Sequence, residues 1–433
     1  MKPLDTNADP RVVGPFELLA RLGAGGMGVA YLAREIPLDG LSDEMVAAYR
    51  LTEPEPEPER GRDEDQAADP SRLVVVKMIQ PNLLDQSQAR ERFAREIDAV
   101  RAVVSDRVPA LRAADPEAGE PWFAMDYIAG PSLQTMVNES GPLPFGPCAA
   151  LGLALVDALA AIHGTRLLHR DLKPSNVVLG PDGPMVLDFG LSVVAERQSS
   201  QALTRTGDRL GTRPYMPVEQ LRDTKHVEAP ADVYALGATL FFALTGRAPY
   251  PYMPLMVPPM WEGVAPAFLP LLGRVIVDEP LRRPDLDGVR ESLSALLTDA
   301  GLTVAQAAGE LRERVAAVGL TPVLPPEALV GRADPVVREL AQKAVDEGEA
   351  PDAPWAEGDP GFYGVVTAEE IEWAGGWADS HTGHPLTFLG DGTGWMSTAP
   401  TIPLPVSEHR SGAGPAVGQP FLPPQTGRLR RSR

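Results

Sequence analysis

The spacing of apolar residues divides the chain into a strand-rich beginning and a helix-rich remainder. Residues 12–35 set apolar segments on both sides of a glycine-rich turn, and residues 73–79 form the continuous β-branched run of a buried strand. Residues 121–133 predict a further strand that runs into a turn. Between these strands, residues 87–104 predict a helix with one apolar face, made of Phe93, Ile97, Val100 and Val104.

The second part of the chain predicts a succession of helices. Residues 147–164 and 232–245 are apolar on nearly all sides, which indicates helices buried in a core. The helical pattern resumes at 266–277 and again at 284–298. These segments together predict a large helical body that follows the strands.

Beyond residue 299 the pattern becomes sparser. A helix is predicted at 302–318, where one face carries Val304, Ala308, Leu311 and Val315. A second is predicted at 335–345, where one face carries Val336, Leu340 and Ala344. Residues 351–433 combine glycines with four tryptophans and end in a proline-rich stretch, which predicts a partly disordered tail.

Residues 37–70 interrupt the strand pattern with a strongly acidic insertion. The segment holds eleven acidic residues against three arginines, and it includes the run EPEPEPE. Because such a stretch buries little apolar surface, we expect a disordered, solvated loop. A loop that docks a basic partner is the less favoured alternative.

Charge and composition exclude several classes of function. The chain has 39 lysines and arginines against 59 aspartates and glutamates, which gives a net charge of −20. This charge argues against nucleic acid or an anionic membrane as the main partner. Cys148 is the single cysteine, so the chain has no internal disulfide framework. The chain shows neither an uncharged apolar run of about 18 residues nor the apolar core of a signal peptide. We therefore expect a cytoplasmic protein without a membrane span.

The chemistry is concentrated in residues 167–190, LLHRDLKPSNVVLGPDGPMVLDFG. Asp171, Lys173, Asn176 and Asp188 place two carboxylates, an ammonium and an amide within a short strand-loop-strand. Phosphoryl transfer from a metal-bound nucleotide requires these groups: one carboxylate for the attacking hydroxyl, a cation for the moving phosphoryl, and an amide and a carboxylate for the metal.

These residues resemble the catalytic loop and the magnesium loop of protein kinases in their serine/threonine form. The chain is similar to the bacterial, eukaryotic-like (Hanks-type) serine/threonine kinases. The resemblance implies an α+β, two-lobed fold over residues 12–298, with a small β-rich lobe at 12–128 and a larger helical lobe at 129–298. We expect a helical extension at 299–350 after this domain.

The resemblance implies where ATP and its metal bind. Lys77 and Glu96 would form the ion pair that grips the phosphates, Met125 would gate the back of the pocket, and Asn176 and Asp188 would hold Mg²⁺, with Mn²⁺ as the alternative. Val75 stands where the family has a smaller alanine. The remaining expected contacts to ATP, with Val29 covering the base and the hinge backbone meeting adenine, are Leu22, Gly23, Ala24, Gly25, Gly26, Met27, Gly28, Val29, Asp126, Tyr127, Ile128 and Val178.

The resemblance also implies structural and regulatory roles. Asp171 and Lys173 are the expected catalytic pair, and Thr204 and Thr206 are the expected activation-loop phosphorylation sites, modified by a second copy of the chain in a homodimer. His169 and Arg170 precede the catalytic aspartate, and Thr212 would bond to it. Asp232 would cap its helix and hold the catalytic loop, and Glu219 would pair with Arg283.

Two rival functions are weighed against a kinase that phosphorylates serine and threonine in proteins. A catalytically inactive scaffold would show losses among the six key features, and none is lost: the glycine-rich loop, Lys77, Glu96, Asp171, Asn176 and Asp188. A nicotinamide dehydrogenase would require a long helix after Gly28 and an acidic residue some 20 positions on. Here a strand-like run and then the acidic insertion follow the glycines, which disfavours that function.

Overall fold

The computed structural model describes most of the segments for which strands and helices are predicted. The described residues are 1–5, 8–25, 28–36, 49, 73–80, 83–84, 87–189, 213–224, 226–250, 258–329, 333–347, 386–388 and 395–397.

An antiparallel sheet of six strands forms the small lobe. Its spatial order is β1-β2-β3-β4-β6-β5. The strands are β1 Val12–Val13, β2 Phe16–Gly25, β3 Gly28–Glu35, β4 Leu73–Ile79, β5 Leu111–Asp115 and β6 Trp122–Asp126. Alternate side chains of β4 point to opposite faces. Val74, Val76 and Met78 therefore pack into a rear core, while Val75 and Lys77 share the opposite face.

Helix α1, Ser87–Arg101, packs its apolar side into the main core. Phe93, Ile97 and Val100 are buried as the periodicity predicts. The prediction was wrong for Val104, which is 90% exposed because the helix ends at Arg101 and the chain turns away before a further turn can form.

One residue of the acidic insertion has a defined place in the small lobe. Tyr49 is buried, and its ring lies 5.9 Å from that of Trp122. Its backbone oxygen accepts a hydrogen bond of 2.9 Å from the amide of Ala114 in the edge strand β5. The expectation of a wholly solvated loop is therefore wrong at Tyr49, because an aromatic ring that covers Trp122 offsets the entropy of ordering. The rest of the predicted disordered loop lies outside the described residues.

Helices packed around one central apolar helix form the large lobe. The central helix is α3, Phe145–Gly164, and 3-10 turns lie at 174–176, 213–215, 266–268 and 280–282. The other helices are α2 Leu133–Ser140, α4 Val218–Arg222, α5 Pro230–Thr245, α6 Leu269–Val275 and α7 Leu286–Asp299. A two-stranded ribbon, β7 Val177–Gly180 and β8 Gly183–Val186, lies beside them. The predicted two-lobed α+β architecture is confirmed.

Within the described part of the chain, α3 is the helix long and apolar enough to cross a bilayer. Its side chains are almost all buried inside the large lobe, where α5 and α7 also pack. Core burial therefore accounts for its composition without a membrane.

Two helices follow the large lobe, α8 Val304–Val318 and α9 Pro335–Glu347, joined through a 3-10 turn at Pro326–Leu329. Helix α8 starts with a capping box formed by Thr303 and Gln306. The apolar face predicted for α9 was wrong: Val336 and Leu340 are exposed, and Val337 and Ala341 are buried instead. The contact surface of the small lobe, and not the spacing within the helix, selects the buried side.

Residues 366–433 form a separate unit. Its described residues are two short antiparallel strands, β9 Leu386–Phe388 and β10 Trp395–Ser397, in which Trp395 pairs with Phe388.

The burial of Tyr49 yields a stability prediction. We expect Tyr49→Ala to lower the free energy of unfolding by about 2–4 kcal/mol, because it uncovers Trp122 and leaves a cavity beside the sheet. Chemical denaturation followed by tryptophan fluorescence measures this change. Val104→Ala, at an exposed position, is the control and should stay within about 0.5 kcal/mol. Equal stability of both variants would show that Tyr49 contributes no packing energy.

Candidate active site

A buried carboxylate on α5 holds the loop between α3 and β7. Asp232 is 1% exposed, and its oxygens accept hydrogen bonds of 2.8 Å from the backbone amides of His169 and Arg170. The His163 imidazole lies 2.8 Å from the same carboxylate. The loop is therefore fixed to the core of the large lobe through its backbone. The expected capping role was wrong, because α5 begins after Ala229 and Asp232 turns its side chain to the loop.

The electrostatics at Asp232 favour the charged form. Burial opposes ionisation, but the hydrogen bond from His163, the proximity of His169 and the amide of Arg170 outweigh it, so the pKa of the Asp232 carboxyl lies below its ordinary value. The carboxylate is thus a permanent anion at neutral pH to which the loop amides bond.

The loop backbone is strained where it turns toward the cleft. Arg170 has a φ of 63°, in the left-handed region that non-glycine residues seldom adopt. Its amide bonds to Asp232, and its carbonyl accepts a hydrogen bond of 2.6 Å from Nε2 of Gln220 in α4. Bonds on both sides of the peptide maintain this conformation and direct the next residue, Asp171, away from the core.

Asp171, Lys173 and Asn176 converge at the end of the loop. Nζ of Lys173 lies 3.0 Å from Oδ2 of Asp171. Nδ2 of Asn176 donates to the backbone oxygen of Asp171 at 2.9 Å and to its Oδ2 at 3.1 Å. Both side chains of the Asp171–Lys173 pair are about one-fifth exposed, so an incoming group can reach them. The carboxylate is therefore oriented by two donors while remaining accessible.

Asp188 lies after β8 and faces the small lobe. Its Oδ1 is 3.0 Å from Nζ of Lys77 on β4. Partial desolvation by the surrounding protein opposes its ionisation, although the side chain stays 45% exposed. The Lys77 ammonium, helped by His169 and Lys173, outweighs this and holds the pKa of the Asp188 carboxyl below its ordinary value. Asp188 also has a left-handed backbone, with a φ of 57°. An ion pair thus joins the two lobes across the cleft.

Glu96 lies half-buried on α1, with one carboxylate oxygen shielded from solvent. The expected Lys77–Glu96 pair is not among the ion pairs of the described residues, where Lys77 pairs with Asp188 instead. The grip of Lys77 and Glu96 on nucleotide phosphates stays a prediction.

The glycine-rich hairpin connects β2 with β3. Leu22 is partly buried, Gly23, Ala24 and Gly25 are exposed, and Gly25 pairs with Gly28. A Cβ atom on Gly28 would lie 1.8 Å from the carbonyl oxygen of Met78, so only glycine allows the two strands this approach. Gly26 and Met27, at the tip, lie outside the described residues.

The sequence interpretation assigned the wrong residue of β3 to the nucleotide side. Val29 is 3% exposed and packs with Met78 in the rear core. Ala30 is the cross-strand partner of Lys77 and therefore shares its face of the sheet. Counting from Lys77 across the antiparallel register could have found Ala30, whereas the glycine pattern alone did not.

The segment between the lobes follows β6. Met125 is buried, at the cross-strand position to Val75. The amide of Asp126 donates to Ala110 and that of Tyr127 donates to Leu73, so neither N–H is available to adenine. Among the hydrogen bonds of the described residues, none uses the N–H of Ile128. Ile128 is therefore the amide best able to meet a base.

The other face of this cleft comes from β7. Val178 is 8% exposed, and it forms a bridge with Ser132 directly after the lobe connection. A Cβ atom on Gly130 would lie 2.2 Å from the carbonyl oxygen of Leu179, so the connection rests directly on β7. Strand β7 thus lies directly against the lobe connection, where a Cβ atom on Gly180 would be 2.8 Å from Cγ2 of Ile128.

A family model described as a protein kinase domain matches residues 66–255. This range contains the Asp171–Lys173–Asn176 cluster, Asp188 and Lys77. Residues 66–255 are therefore similar to a protein kinase domain.

Proteins similar to this chain include serine/threonine kinases of bacteria. The chain is 41% identical over 245 residues to the serine/threonine-protein kinase AfsK of Streptomyces griseus, a match that covers 57% of this chain and 26% of that protein. It is 37% identical over 304 residues to AfsK of Streptomyces coelicolor, covering 68% and 34%. With the probable serine/threonine-protein kinase PkwA of Thermomonospora curvata it shares 41% identity over 242 residues, covering 56% and 28%. The chain spans about a quarter to a third of the length of these relatives.

A solved structure also aligns with the kinase domain. The crystal structure of the Mycobacterium tuberculosis PknI kinase domain covers 67% of this chain and 98% of its own, at 22% identity and a TM-score of 0.48.

A buried ion pair joins Glu219 of α4 to Arg283, which lies before α7. Arg283 has a fully buried side chain and bonds to Glu219 through both terminal nitrogens, at 2.5 and 3.1 Å. Its other donors reach the carbonyls of Val277 and Pro230, and its guanidinium lies 5.0 Å from the ring of Tyr234. The expected Glu219–Arg283 pair is present, and it ties α4 to the end of the large lobe.

Three predicted regulatory residues, Thr204, Thr206 and Thr212, lie outside the described residues. Their roles stay predictions.

Metal-binding groups in the kinase domain fit a shared protein–phosphate site. Among the described residues, no group of three or more His, Cys, Asp or Glu side chains could hold a metal by itself. Mg²⁺ is commonly held by one or two protein oxygens together with substrate phosphates. Asp188 offers a carboxylate. Nδ2 of Asn176 donates to Asp171, and its Oδ1, which accepts a long hydrogen bond of 3.5 Å from Oγ of Ser175, has a second lone pair that can bind a cation.

The state of Asp232 yields a pH prediction. We expect Asp232→Asn to lower the free energy of unfolding by about 1–3 kcal/mol near pH 7, because a charged acceptor of two amides is lost. The native pKa lies below the unfolded one, so this stabilisation is present above the ordinary value and is lost as the pH falls through the native pKa. The difference between the proteins should therefore shrink in strong acid.

Urea denaturation at several pH values measures this difference. Asp157→Asn, which affects a surface pair with Arg290, is the control and should change stability by less than about 1 kcal/mol. A difference at Asp232 that does not vary with pH would contradict the charge-based explanation.

Proposed function

We propose that the chain transfers the γ-phosphoryl group of ATP to serine and threonine hydroxyls of proteins. The observation that carries the proposal is the meeting of Asp171, Lys173 and Asn176 at one loop end, opposite the Lys77–Asp188 pair. The bacterial serine/threonine kinases to which the chain is similar support the same chemistry.

Asp171 orients the acceptor hydroxyl and receives its proton. Its carboxylate is held by Asn176 and Lys173 but keeps solvent-accessible surface for the acceptor. The acceptor oxygen bonds to the γ-phosphorus as the bond to ADP breaks, and the Lys173 ammonium stabilises the negative charge on the transferring phosphoryl group, which lowers the barrier electrostatically. Positioning and charge stabilisation supply most of the catalysis in such transfers.

Nucleotide binding uses both lobes. We assign the base to the space bordered by Ala30, Val75, Met125, Ile128 and Val178, with the glycine-rich hairpin above the phosphates. Lys77 exchanges its bond to Asp188 for the phosphates, which leaves the Asp188 carboxylate free for a cation. Asn176 and Asp188 would hold Mg²⁺, or Mn²⁺, which neutralises phosphate charge when bound.

Activation through phosphorylation of the segment 190–212 extends the proposal. The Nε atom of Arg170 is buried and makes no hydrogen bond within the described residues. A buried guanidinium nitrogen favours an anionic partner, and a phosphorylated threonine provides charge-assisted bonds of this kind. Thr204 and Thr206 are the proposed acceptors, modified by a second copy of the chain.

The cellular setting follows from charge and composition. With a net charge of −20, the chain disfavours nucleic acid, and we propose protein substrates in the cytoplasm. An inactive scaffold is the alternative function. The intact contacts of Asp171 and Asp188 favour the enzyme.

Removal of the catalytic carboxylate tests the proposed transfer. We expect Asp171→Asn to reduce phosphoryl transfer at least about 100-fold, because the acceptor hydroxyl loses its proton acceptor. ATP affinity should change less than about twofold, because Asp171 does not contact the nucleotide. Transfer is measured with γ-labelled ATP, magnesium and a generic protein substrate, and affinity by calorimetry. Asp182→Asn, on the exposed β7–β8 turn, is the control. Undiminished transfer in Asp171→Asn would contradict the mechanism.

Substitution of both proposed acceptors tests the regulation. We expect the double variant Thr204→Ala, Thr206→Ala to lose autophosphorylation at these sites and to lose activity severalfold, because Arg170 then lacks its phosphate partner. Mass spectrometry of the purified enzyme locates the phosphate, and Ser199→Ala, Ser200→Ala is the matched control. Equal activity of the two double variants would refute the regulatory role while leaving the transfer proposal intact.

A further inference from the structure

The C-terminal extension contacts both lobes of the kinase domain. Helix α8 belongs to the large lobe, where Ala307 and Leu311 are buried in the main core. Nη2 of Arg314 donates a 2.8 Å hydrogen bond to the carbonyl of Ser140 at the end of α2. After α8 ends at Val318, the chain leaves the large lobe and returns to the sheet.

We call the described residues 319–329 and 333–341 the C-terminal strap. Ala328 is 1% exposed and packs into a cluster with Leu32 of β3 and Leu73 of β4. Leu32 and Leu73 lie on the same sheet face as Val75 and Lys77, because residues two apart in a strand share a face. The strap is therefore attached to the face of the sheet that the nucleotide site uses.

Polar contacts anchor the strap at two further points. Arg34 forms a buried ion pair of 2.6 Å with Glu17, and its Nη1 donates 3.2 Å to the backbone carbonyl of Glu327 in the strap. Arg11 pairs with Asp334 at 3.3 Å.

The first turns of α9 complete the attachment. Val337 and Ala341 are buried against Val12 and Ile36. The strap thus has an apolar anchor at each end of its contact with the small lobe, one at Ala328 and one on α9.

Two residues from segments next to the proposed nucleotide space pack against the same cluster. Leu22 opens the glycine-rich hairpin, and Tyr127 lies in the lobe connection directly before Ile128. Both pack, together with Leu324 of the strap, around the cluster that contains Ala328. Strap side chains therefore support Leu22 and Tyr127 from the side.

We propose that the strap is a positioning element of the nucleotide site, in which Leu324 and Ala328 hold Leu22 and Tyr127, and through them the glycine-rich hairpin and the lobe connection on either side of the adenine. The proposal rests on the proposed ATP-dependent function. The strap forms a second covalent connection between the lobes, beside the connection at 126–132. If the strap contacts are lost, more free energy is needed to order the adenine side of the cleft when nucleotide binds. Asp171 and Lys173, which lie in the loop between α3 and β7, are unaffected.

The prediction is a change in nucleotide affinity that is separate from the chemical step. In the full chain, Leu324→Ala should raise the KM for ATP and the Kd for ADP at least about threefold, because the support of Leu22 and Tyr127 is lost. The kcat should remain within about twofold. Val323→Ala is the matched control, because the Val323 side chain, next to Leu324 in the sequence, is 89% exposed. It should leave the KM for ATP and the Kd for ADP unchanged.

A second pair of variants tests the anchor itself. Ala328→Asp places a charge in the buried cluster, whereas Leu329→Asp places the same charge on a side chain that is 59% exposed. The first should weaken ADP binding about tenfold or more and the second should not. Thermal unfolding of all four variants shows whether each remains folded, and Leu324→Ala, the mild change, decides the question if Ala328→Asp unfolds.

Each outcome is decisive. An increase in KM and Kd confined to Leu324→Ala and Ala328→Asp supports the strap as a positioning element. Unchanged nucleotide constants in folded Leu324→Ala, or a loss of kcat alone, overturns the proposal. Failure of the unaltered chain to transfer phosphate contradicts the proposed function instead, and the Kd for ADP still tests the strap.

Discussion

The candidate active site depends on one buried carboxylate that has no part in the proposed chemistry. Asp232 offers two oxygens to the amides of His169 and Arg170 and a third contact to His163. Because a buried anion is stable only with its donors in place, the loop and α5 stabilise each other. The hydrogen bonds of this network stabilise the strained backbone at Arg170. That backbone directs Asp171 into the cleft.

A different balance operates between the lobes. Lys77 and Asp188 are each other's partners across the cleft, yet Asp188 is nearly half exposed and Lys77 about one-fifth. Solvent screens such a pair, so its net contribution to stability is small. A contact of this kind can be exchanged for phosphate and metal at low cost, whereas the Asp232 network cannot be exchanged.

The spacing of residues along the sequence predicted much of the fold and of the site. The predictions that were wrong for β3, Tyr49 and the buried side of α9 all depended on contacts between distant parts of the chain. The loop containing Asp171, Lys173 and Asn176 is compact in sequence, so spacing alone indicated that these groups would meet. To assign Ala30 and not Val29 to the nucleotide side, one must know the register of β3 against β4. The glycine pattern does not contain that register.

Tertiary partners decided the other failures. The buried side of α9 is set by its contact with Val12 and Ile36, more than 290 residues away in the chain. Tyr49 lies in an acidic, proline-rich stretch, and only the position of Trp122 makes its burial favourable. Both outcomes depend on long-range contacts, which composition and periodicity do not report.

The path of the strap makes the small lobe discontinuous along the chain. Its first part ends near residue 126, and its last part, around Ala328 and Val337, is separated from the first by the whole large lobe. Because the chain is synthesised from its N-terminus, the large lobe leaves the ribosome complete while the earlier sheet still lacks this cover. The segment translated first therefore finishes its packing last, and Leu19, Leu32 and Val12 keep apolar surface open to solvent until the strap arrives.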